Sequence, residues 1–250
     1  MSPPDPQHFD PASLAAVDEP VRRYLLHAIA EGTAISTRVR LTMVGRINVG
    51  LWLSFSAEQE FIGRAFSWRA RAGWGPLKPL HVVDDYADGA GSTEGRLLGR
   101  VRFMHAADAS TTRAAAARAA VESIWVPGTL LPGPEVTWRA EADDRIVARL
   151  HVPPERPEVT LRVSESGALL SVSLMRWGNV GQKDFGYIPF GGMVRAERRF
   201  GDVVLPSEVE VGWWFGTPRF KPFFEATIVD VEPASSADTS DGGPPGHRRS

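Results

Sequence analysis

The chain contains no cysteine, only three lysines and no long apolar run. Without cysteine it has no disulfide, thiolate metal site or cysteine nucleophile, which fits a reducing compartment. No stretch approaches the ~18 apolar residues of a membrane span. Residues 1–11 also lack the basic and apolar segments of a secretion signal. We therefore expect a cytoplasmic protein without integral membrane insertion.

A large net charge of either sign is also absent. The 28 basic and 30 acidic residues give −2, and only Lys78, Lys183 and Lys221 among the basic residues are lysines. Such a balance provides no overall field that would draw the protein onto nucleic acid or an anionic membrane. We expect no nucleic-acid partner, and any contact with a charged surface has to be local.

The usual signatures of catalytic and metal sites are missing. The six histidines form no H-x-x-x-H or H-E-x-x-H pattern, and His81 with Asp84 is the only close pair of interest. There is no G-x-S-x-G nucleophile motif. Residues 84–95 resemble a calcium loop, but Tyr86 and Gly95 occupy positions where such loops carry ligands. We predict no metal site and no cofactor, and the catalytic residues, if any, stay unknown.

What is present is an ordinary globular composition, with 43% hydrophobic and 23% charged residues in 250. This length suits one β-rich domain. Residues 1–9 are rich in proline, and residues 234–250 are polar and rich in glycine and proline. We predict a disordered N-terminus over 1–9, a single domain over 10–233 and a disordered tail over 234–250.

Alternating apolar and polar residues predict about eleven short strands, on both sides of a long helix. The helix is predicted within the stretch 110–133, with Asp108 or Ser110 as cap, an apolar stripe that ends at Trp125, and Pro127 with Gly128 as its end. A shorter helix precedes the strands. The predicted strands include 94–104. Residues 73–80 read as a loop or a broken edge strand, and residues 178–192 as a long glycine-rich loop that serves as a lid or mouth.

These elements predict a mainly β (α+β) fold. We expect a curved antiparallel sheet or open half-barrel with two main helices, one of them on the concave side. Sheets of this shape enclose space.

Several segments resemble an uncharacterised bacterial family, DUF6544. They are EPVRRYLLHAI at 19–29, VRLTMVGRI at 39–47, FSAEQEF at 55–61, FSWRAR at 66–71, ESIWVPGTLLP at 122–132, and LPSEVEVGW with FKPFFEATI near the end. The resemblance covers residues 18–232 and implies no assigned activity. The fold is also similar to lipoprotein-carrier half-barrels, by analogy of architecture alone.

The candidate ligand-binding residues are mainly aromatic side chains on alternating strands, which are positioned to line a cavity for an apolar ligand. Glu122 and Arg176 add charge, Glu122 as an orienting group or as half of an ion pair with an arginine of the sheet, and Arg176 as a partner for an anionic head. The set comprises Trp52, Phe66, Trp68, Glu122, Trp125, Arg176, Trp177, Tyr187, Phe190 and Trp213.

Three functions remain open at this point. The leading hypothesis is binding of an apolar or lipid-like small molecule between the concave sheet and the long helix. The alternative is a cofactor-free enzyme that acts on such a ligand, with Glu122 or His81 as acid or base. The third is a structural or partner-binding module, which predicts a filled interior and an exposed apolar patch.

Overall fold

The computed structural model describes residues 7–233, in which one sheet contains thirteen strands. The strands are β1 (Arg38–Asn48), β2 (Trp52–Ile62), β3 (Ala65–Trp74), β4 (Leu77–Ala87), β5 (Ala90–Leu97), β6 (Val101–Ala106), β7 (Val136–Ala142), β8 (Arg145–Leu150), β9 (Glu158–Val163), β10 (Leu169–Gly178), β11 (Gly186–Phe200), β12 (Val203–Trp213) and β13 (Lys221–Pro233). The helices are α1 (Glu19–Ala28) and α2 (Ala109–Val121), with 3₁₀ turns at Pro11–Leu14, Glu122–Trp125 and Pro127–Leu130.

The sheet is antiparallel and open. Its strand order is β6-β5-β4-β3-β2-β1-β13-β12-β11-β10-β9-β8-β7, so two meanders meet where β1 pairs with β13. β6 and β7 are the two edges, and they do not pair with each other. The curved, unclosed sheet with a helix on its concave side confirms the predicted fold class.

The number of strands is higher than predicted because the expected strand 94–104 contains a turn. Leu98 and Gly99 have φ angles of 52° and 70°, which strand residues do not adopt. The chain therefore reverses there and forms β5 and β6. The loop predicted over 73–80 is likewise wrong, since β3 reaches Trp74 and β4 begins at Leu77 around a tight turn at Gly75.

The long loop predicted over 178–192 is also mostly strand. β10 ends at Gly178 and β11 begins at Gly186, which leaves a connection of residues 179–185. Some of the glycines that suggested a loop serve close packing instead. A Cβ on Gly191 would lie 2.4 Å from the backbone oxygen of Val172 on β10. Phe190 and Tyr187 therefore project from a strand.

The N-terminal segment is ordered further than the sequence suggested. Residues 1–6 and 234–250 lie outside the described residues, but Phe9 is only 2% exposed and belongs to the core. Its backbone N–H donates to Thr33 O at 2.8 Å, and its carbonyl accepts from Gly32 N at 2.9 Å. The disorder predicted over 1–9 is therefore wrong for Phe9.

Helix α2 is shorter than the predicted helix, because the chain tightens into two 3₁₀ turns after Val121. The Asp108 side chain accepts a hydrogen bond from Thr111 N at 2.7 Å and caps the helix. The helix lies in the trough of the sheet, between β5 and β10, and six of its residues are buried. Because alanine side chains are small, the helix can pack against β5 on one side and β10 on the other. A helix with a single apolar stripe would pack against only one of them.

Candidate functional site

A cavity of about 300 Å³ lies between the C-terminal end of α2, the following 3₁₀ turn and the concave side of the sheet. The helical side contributes Val121, Ile124 and Trp125, and Trp125 Nε1 donates to Pro206 O at 3.1 Å. The sheet contributes aliphatic and aromatic side chains from both meanders. These are Ile47, Trp68, Val172, Phe190, Val209, Val211, Trp213, Phe223 and Phe224, among others.

Six of the ten predicted site residues line this cavity. Phe190 and Trp213 form an edge-to-face pair with ring centroids 5.1 Å apart. Trp68 packs against Phe224 at 6.4 Å on the opposite wall. The six are Trp68, Glu122, Trp125, Arg176, Phe190 and Trp213.

Two other predicted residues line an adjoining cavity of about 400 Å³ beside the N-terminal half of α2. Phe66 stacks on Tyr86, and Trp177 Nε1 donates to Ser110 Oγ at 3.2 Å. The two cavities share part of their walls, and the shared residues are Asp84, Arg118, Arg176 and Trp213.

Trp52 and Tyr187 line neither cavity. Trp52 begins β2, where the Arg46 guanidinium lies 5.1 Å from its ring centroid. Tyr187 is 48% exposed, and its hydroxyl donates to Glu155 Oε2 at 2.7 Å and accepts from Arg113 Nη2. Trp52 thus lies away from the predicted group, whereas Tyr187 contacts one of its members, with its ring centroid 5.4 Å from that of Trp177.

Besides Arg176, the polar side chains of the wall are Asp84, Arg118 and Glu122. Together with Gln59, which lies behind them and bonds to Glu122, they form what we call the polar cluster. Arg118 donates to Asp84 Oδ2 at 2.6 Å and to Glu122 Oε1 at 2.8 Å. Burial acts to lower the pKa of Arg118, but the charges and hydrogen bonds of Glu122 and Asp84 outweigh it and raise the pKa. The guanidinium also lies 4.7 Å from the ring centroid of Phe66.

The ion-pair partner of Glu122 differs from the one predicted from the sequence. Its partner is Arg118, one turn earlier on the same helix, and not an arginine of the sheet. The sheet instead contributes Gln59, whose Nε2 donates to Glu122 Oε2 at 2.6 Å. The ion pair between helix and sheet joins Arg118 to Asp84.

Arg176 lies on β10 at the wall between the two cavities. Its Nε donates to Ala114 O at 3.2 Å, and its guanidinium lies 4.6 Å from the ring centroid of Phe190 and 5.2 Å from that of Trp213. The pKa of Arg176 is lowered to about 10, first by burial and then by the charge of Arg118, while Glu122 and Asp84 act in the opposite direction.

His81 does not join the site. Successive residues of a strand face opposite sides of a sheet, so His81 and Asp84, three positions apart on β4, point away from each other. Asp84 lines both cavities, whereas His81 lines neither. Within residues 7–233 no group of three or more His, Cys, Asp or Glu side chains is arranged to hold a metal ion.

Sequence reasoning missed Arg118 and Gln59, although each left a signal. Arg118 and Glu122 are four positions apart on a helix, where opposite charges meet. On β2 the inward positions Phe55, Ala57 and Phe61 are apolar, and Gln59 interrupts them at 1% exposure. A polar residue at an inward position of a strand needs a partner.

Comparison with protein families then identifies the chain. The family described as "Family of unknown function (DUF6544)" matches residues 7–226. The chain belongs to this family. The resemblance inferred from the sequence motifs is thereby confirmed. No curated protein matches the chain.

Two solved structures have a similar architecture. The first is a putative outer membrane lipoprotein-sorting protein domain from Vibrio parahaemolyticus, with 8% identity, a TM-score of 0.46, and coverage of 82% of this chain and 88% of that chain. The second is a LolA superfamily protein from Nitrosomonas europaea, with 5% identity, a TM-score of 0.48, and coverage of 86% and 92%. Likenesses of this strength carry no argument about function.

None of the helices within residues 7–233 is long and apolar enough to cross a bilayer. The cytoplasmic location and the absence of a nucleic-acid partner stay predictions.

Proposed function

We propose that this protein binds an apolar or lipid-like small molecule in the cavity beside Trp125. The observation that carries the proposal is the cavity itself, about 300 Å³ in volume and walled mainly by aliphatic and aromatic side chains. Protein interiors otherwise contain few voids larger than a water molecule. Ligand sites, by contrast, are typically apolar spaces of about 300–1,000 Å³ with a few polar groups.

The energetics favour a chain-like ligand. Each methylene group transferred from water contributes about 0.8 kcal/mol, so about ten groups contribute roughly 8 kcal/mol. The loss of translational and rotational freedom costs about 4–15 kcal/mol. Burial of one medium-length chain therefore exceeds this cost only in the lower part of the range, and a polar contact has to add to it for tighter binding. A structural or partner-binding module predicted a filled interior and an exposed apolar patch. The cavity argues against the first of these expectations, while exposed apolar side chains such as Leu77 and Leu98 fit the second.

The experiment exploits the tryptophans of the wall. Trp68, Trp125 and Trp213 border the cavity, so a bound apolar molecule changes their emission. Fatty acids and their methyl esters with 8–16 carbons are titrated into the purified protein, and native mass spectrometry counts the bound molecules. Saturable quenching with one bound molecule supports the proposal, and no response to any member of the series contradicts it.

A matched pair of variants tests the location. Val211→Phe places a ring into the cavity, whereas Val229→Phe adds the same ring at a residue that is 41% exposed and outside it. We expect Val211→Phe to weaken binding at least tenfold and Val229→Phe to leave it unchanged. Equal binding by both variants would place the ligand elsewhere.

A further inference from the structure

Arg176 is a half-buried cation that forms no ion pair with a carboxylate within the described residues. Within residues 7–233 its only hydrogen bond runs from Nε to Ala114 O, and its two terminal nitrogens donate to no acceptor. The rings of Phe190 and Trp213 flank the guanidinium. A charge that is partly withdrawn from water and has no counter-ion is unfavourable, so this arrangement calls for an explanation.

The neighbouring carboxylates are already used by other donors. Asp84 accepts from Thr93 Oγ1 at one oxygen and from Arg118 at the other. Glu122 accepts from Arg118 at one oxygen and from Gln59 Nε2 at the other. All four carboxylate oxygens thus have a donor without Arg176, whereas Gln59 Oε1 of the polar cluster is buried and has no hydrogen-bond partner among the described residues. The terminal nitrogens of Arg176 are left for an acceptor that the protein does not supply.

The position of Arg176 fits the polar end of an amphiphile. Its side chain belongs to the walls of both cavities, with the apolar cavity on one side and the cavity beside the N-terminal half of α2 on the other. The second cavity is bordered by hydroxyl and carboxylate side chains such as Ser92, Thr93 and Asp108. An amphiphile whose hydrocarbon chain fills the apolar cavity would have its polar head group beside the Arg176 guanidinium.

We propose that Arg176 binds the anionic oxygen head, a carboxylate or a phosphate, of an amphiphile whose hydrocarbon chain occupies the cavity beside Trp125. The inference rests on the proposed function and specifies its ligand class. Guanidinium pairs with both groups through two parallel N–H···O bonds. The low pKa of Arg176 is consistent with this role, because an anion at the guanidinium stabilises its charged form.

The test compares heads on one chain. Dodecanoate, dodecyl phosphate and methyl dodecanoate are titrated into the parent protein, Arg176→Gln, Arg176→Lys and the control Arg198→Gln, whose arginine is exposed and packs on Phe200. We expect at least one of the two anions to bind tenfold or more tightly than the ester. We expect Arg176→Gln to abolish that difference, Arg176→Lys to retain part of it and Arg198→Gln to retain all of it.

The outcomes separate the two claims. If the ester binds as tightly as both anions, or if Arg176→Gln keeps the preference, the role of Arg176 is wrong and the apolar cavity still binds a ligand. If no amphiphile binds the parent protein, the proposed function itself fails. A preference for phosphate over carboxylate, or the reverse, identifies the head. Circular dichroism and thermal melting show whether each variant is folded.

A second observation, independent of the cavity, concerns the tips of two adjacent hairpins. Six large apolar side chains there are exposed, and we call them the hairpin-tip patch: Trp74, Leu77, Leu97, Leu98, Val101 and Phe103. Leu77, Leu98 and Val101 are 73%, 69% and 64% exposed. The two tips are joined, because Leu98 N donates to Pro79 O at 2.7 Å and Leu97 pairs with Val101.

The charge around the patch is positive. Segments 74–80 and 96–103 contain four basic residues and no acidic residue, in a chain with a net charge of −2. The basic residues are Lys78, Arg96, Arg100 and Arg102. Glu94 pairs with Arg96 at 2.6 Å and lies 3.9 Å from Arg102, which leaves Lys78 and Arg100 without an acidic neighbour in these segments. Exposed tryptophan and leucine among cations match the interface of an anionic bilayer.

We infer that the hairpin-tip patch docks on an anionic lipid surface. Sedimentation with vesicles of phosphatidylcholine alone and with 30% phosphatidylglycerol tests this. We expect the protein to bind only the anionic vesicles. The double variants Leu77→Asp/Val101→Asp and Arg100→Glu/Arg102→Glu should each lower the affinity for these vesicles at least fivefold. The control Val44→Asp, at a residue that is 42% exposed on β1, should leave the affinity unchanged. No binding to anionic vesicles overturns the inference. So does a dimer in light scattering that the patch variants dissociate, because a second copy then covers the patch.

Discussion

Gly91 on β5 and Ala115 on α2 are in such close contact that a Cβ on Gly91 would lie 2.5 Å from the Cβ of Ala115. The Cα of Thr112 and the backbone oxygen of Thr111 would also lie within 3.3 Å of it. Thr112 Oγ1 accepts from Gly91 N at 3.1 Å at the same point. This contact sets the distance between α2 and the concave side of the sheet. It therefore also determines how large the cavity at the C-terminal end of α2 is.

We predict that Gly91→Ala destabilises the protein by about 1–3 kcal/mol, the usual cost of overpacking a well-packed contact. The helix has to move away from β5, because the obstructing atoms belong largely to its backbone. Gly133→Ala is the control, since nothing lies within 4 Å of a Cβ at Gly133. Urea denaturation measures both. Equal midpoints for the two variants would show that the helix position tolerates the added methyl group.

The cap of α2 provides a prediction with a defined pH dependence. Hydrogen bonds from Thr111 are the main cause of the lowered pKa of Asp108, so the folded state favours the ionised form. A lowered folded pKa means that this stabilisation is complete above the ordinary pKa of an aspartate and is lost as the pH falls through the lowered value.

Asp108→Ala should therefore melt at a lower temperature than the parent protein at pH 7, and the difference should shrink as the pH falls below about 4. Asp108→Asn keeps an oxygen acceptor that does not titrate, so it should melt close to the parent at pH 7 and above the parent once the pH falls below about 4. Thermal melting by circular dichroism measures all three proteins. A difference between Asp108→Ala and the parent that stays constant with pH would contradict the capping role.

Trp125 joins the helical segment to the far meander. It is 4% exposed, borders the cavity and donates to Pro206 O. We predict that Trp125→Ala costs about 3–5 kcal/mol, the range for removing a buried aromatic side chain. Trp125→Phe keeps most of the packing but loses one hydrogen bond. We expect it to lower the free energy of unfolding by about 1 kcal/mol for the hydrogen bond, with a further loss from the smaller volume of the ring.

The control for Trp125 is Trp74→Ala, because Trp74 is 59% exposed. We expect its free energy of unfolding to stay within about 0.5 kcal/mol of the parent value. A Trp125→Ala variant as stable as Trp74→Ala would show that Trp125 does not anchor the segment.

The sequence pattern predicts the strands of this fold better than it predicts the site. On β2, Leu53, Phe55 and Ala57 face the core and alternate with Ser54 and Ser56, so the period of two is visible without coordinates. The same logic fails between Leu97 and Val101, where Leu98 adopts a positive φ angle and Gly99 is the one local signal of the turn. It also extends α2 too far, because apolar spacing continues through the 3₁₀ turns after Val121.

The cavity depends on contacts that no local pattern reveals. Arg118 meets Asp84 across 34 positions of sequence, and Gln59 meets Glu122 across 63. The curvature that brings β4 and β10 to opposite sides of α2 accumulates over many strands, with register shifts such as the one between Thr42 and Met43. Aromatic positions such as Trp68 and Trp213 were predictable as inward, whereas their separation across an open cavity was not.

The last prediction concerns the polar cluster. Arg118 is 13% exposed and pairs with Asp84 and Glu122, which are 27% and 15% exposed. Removing one partner of a buried pair leaves uncompensated charge, so we predict that Arg118→Met costs about 3–5 kcal/mol. The matched control is Arg145→Met, whose arginine forms an exposed pair with Glu141 at the same i,i+4 spacing. Exposed pairs contribute about 0–1 kcal/mol, and the control should change stability by no more than that.

Urea denaturation compares the two variants and the triple change Arg118→Met, Glu122→Gln, Asp84→Asn, which removes both carboxylate charges. Recovery of part of the lost stability in the triple variant is expected, because it eliminates the unpaired charges. A triple variant no more stable than Arg118→Met would instead trace the loss to packing of the arginine against Phe66 and Trp68.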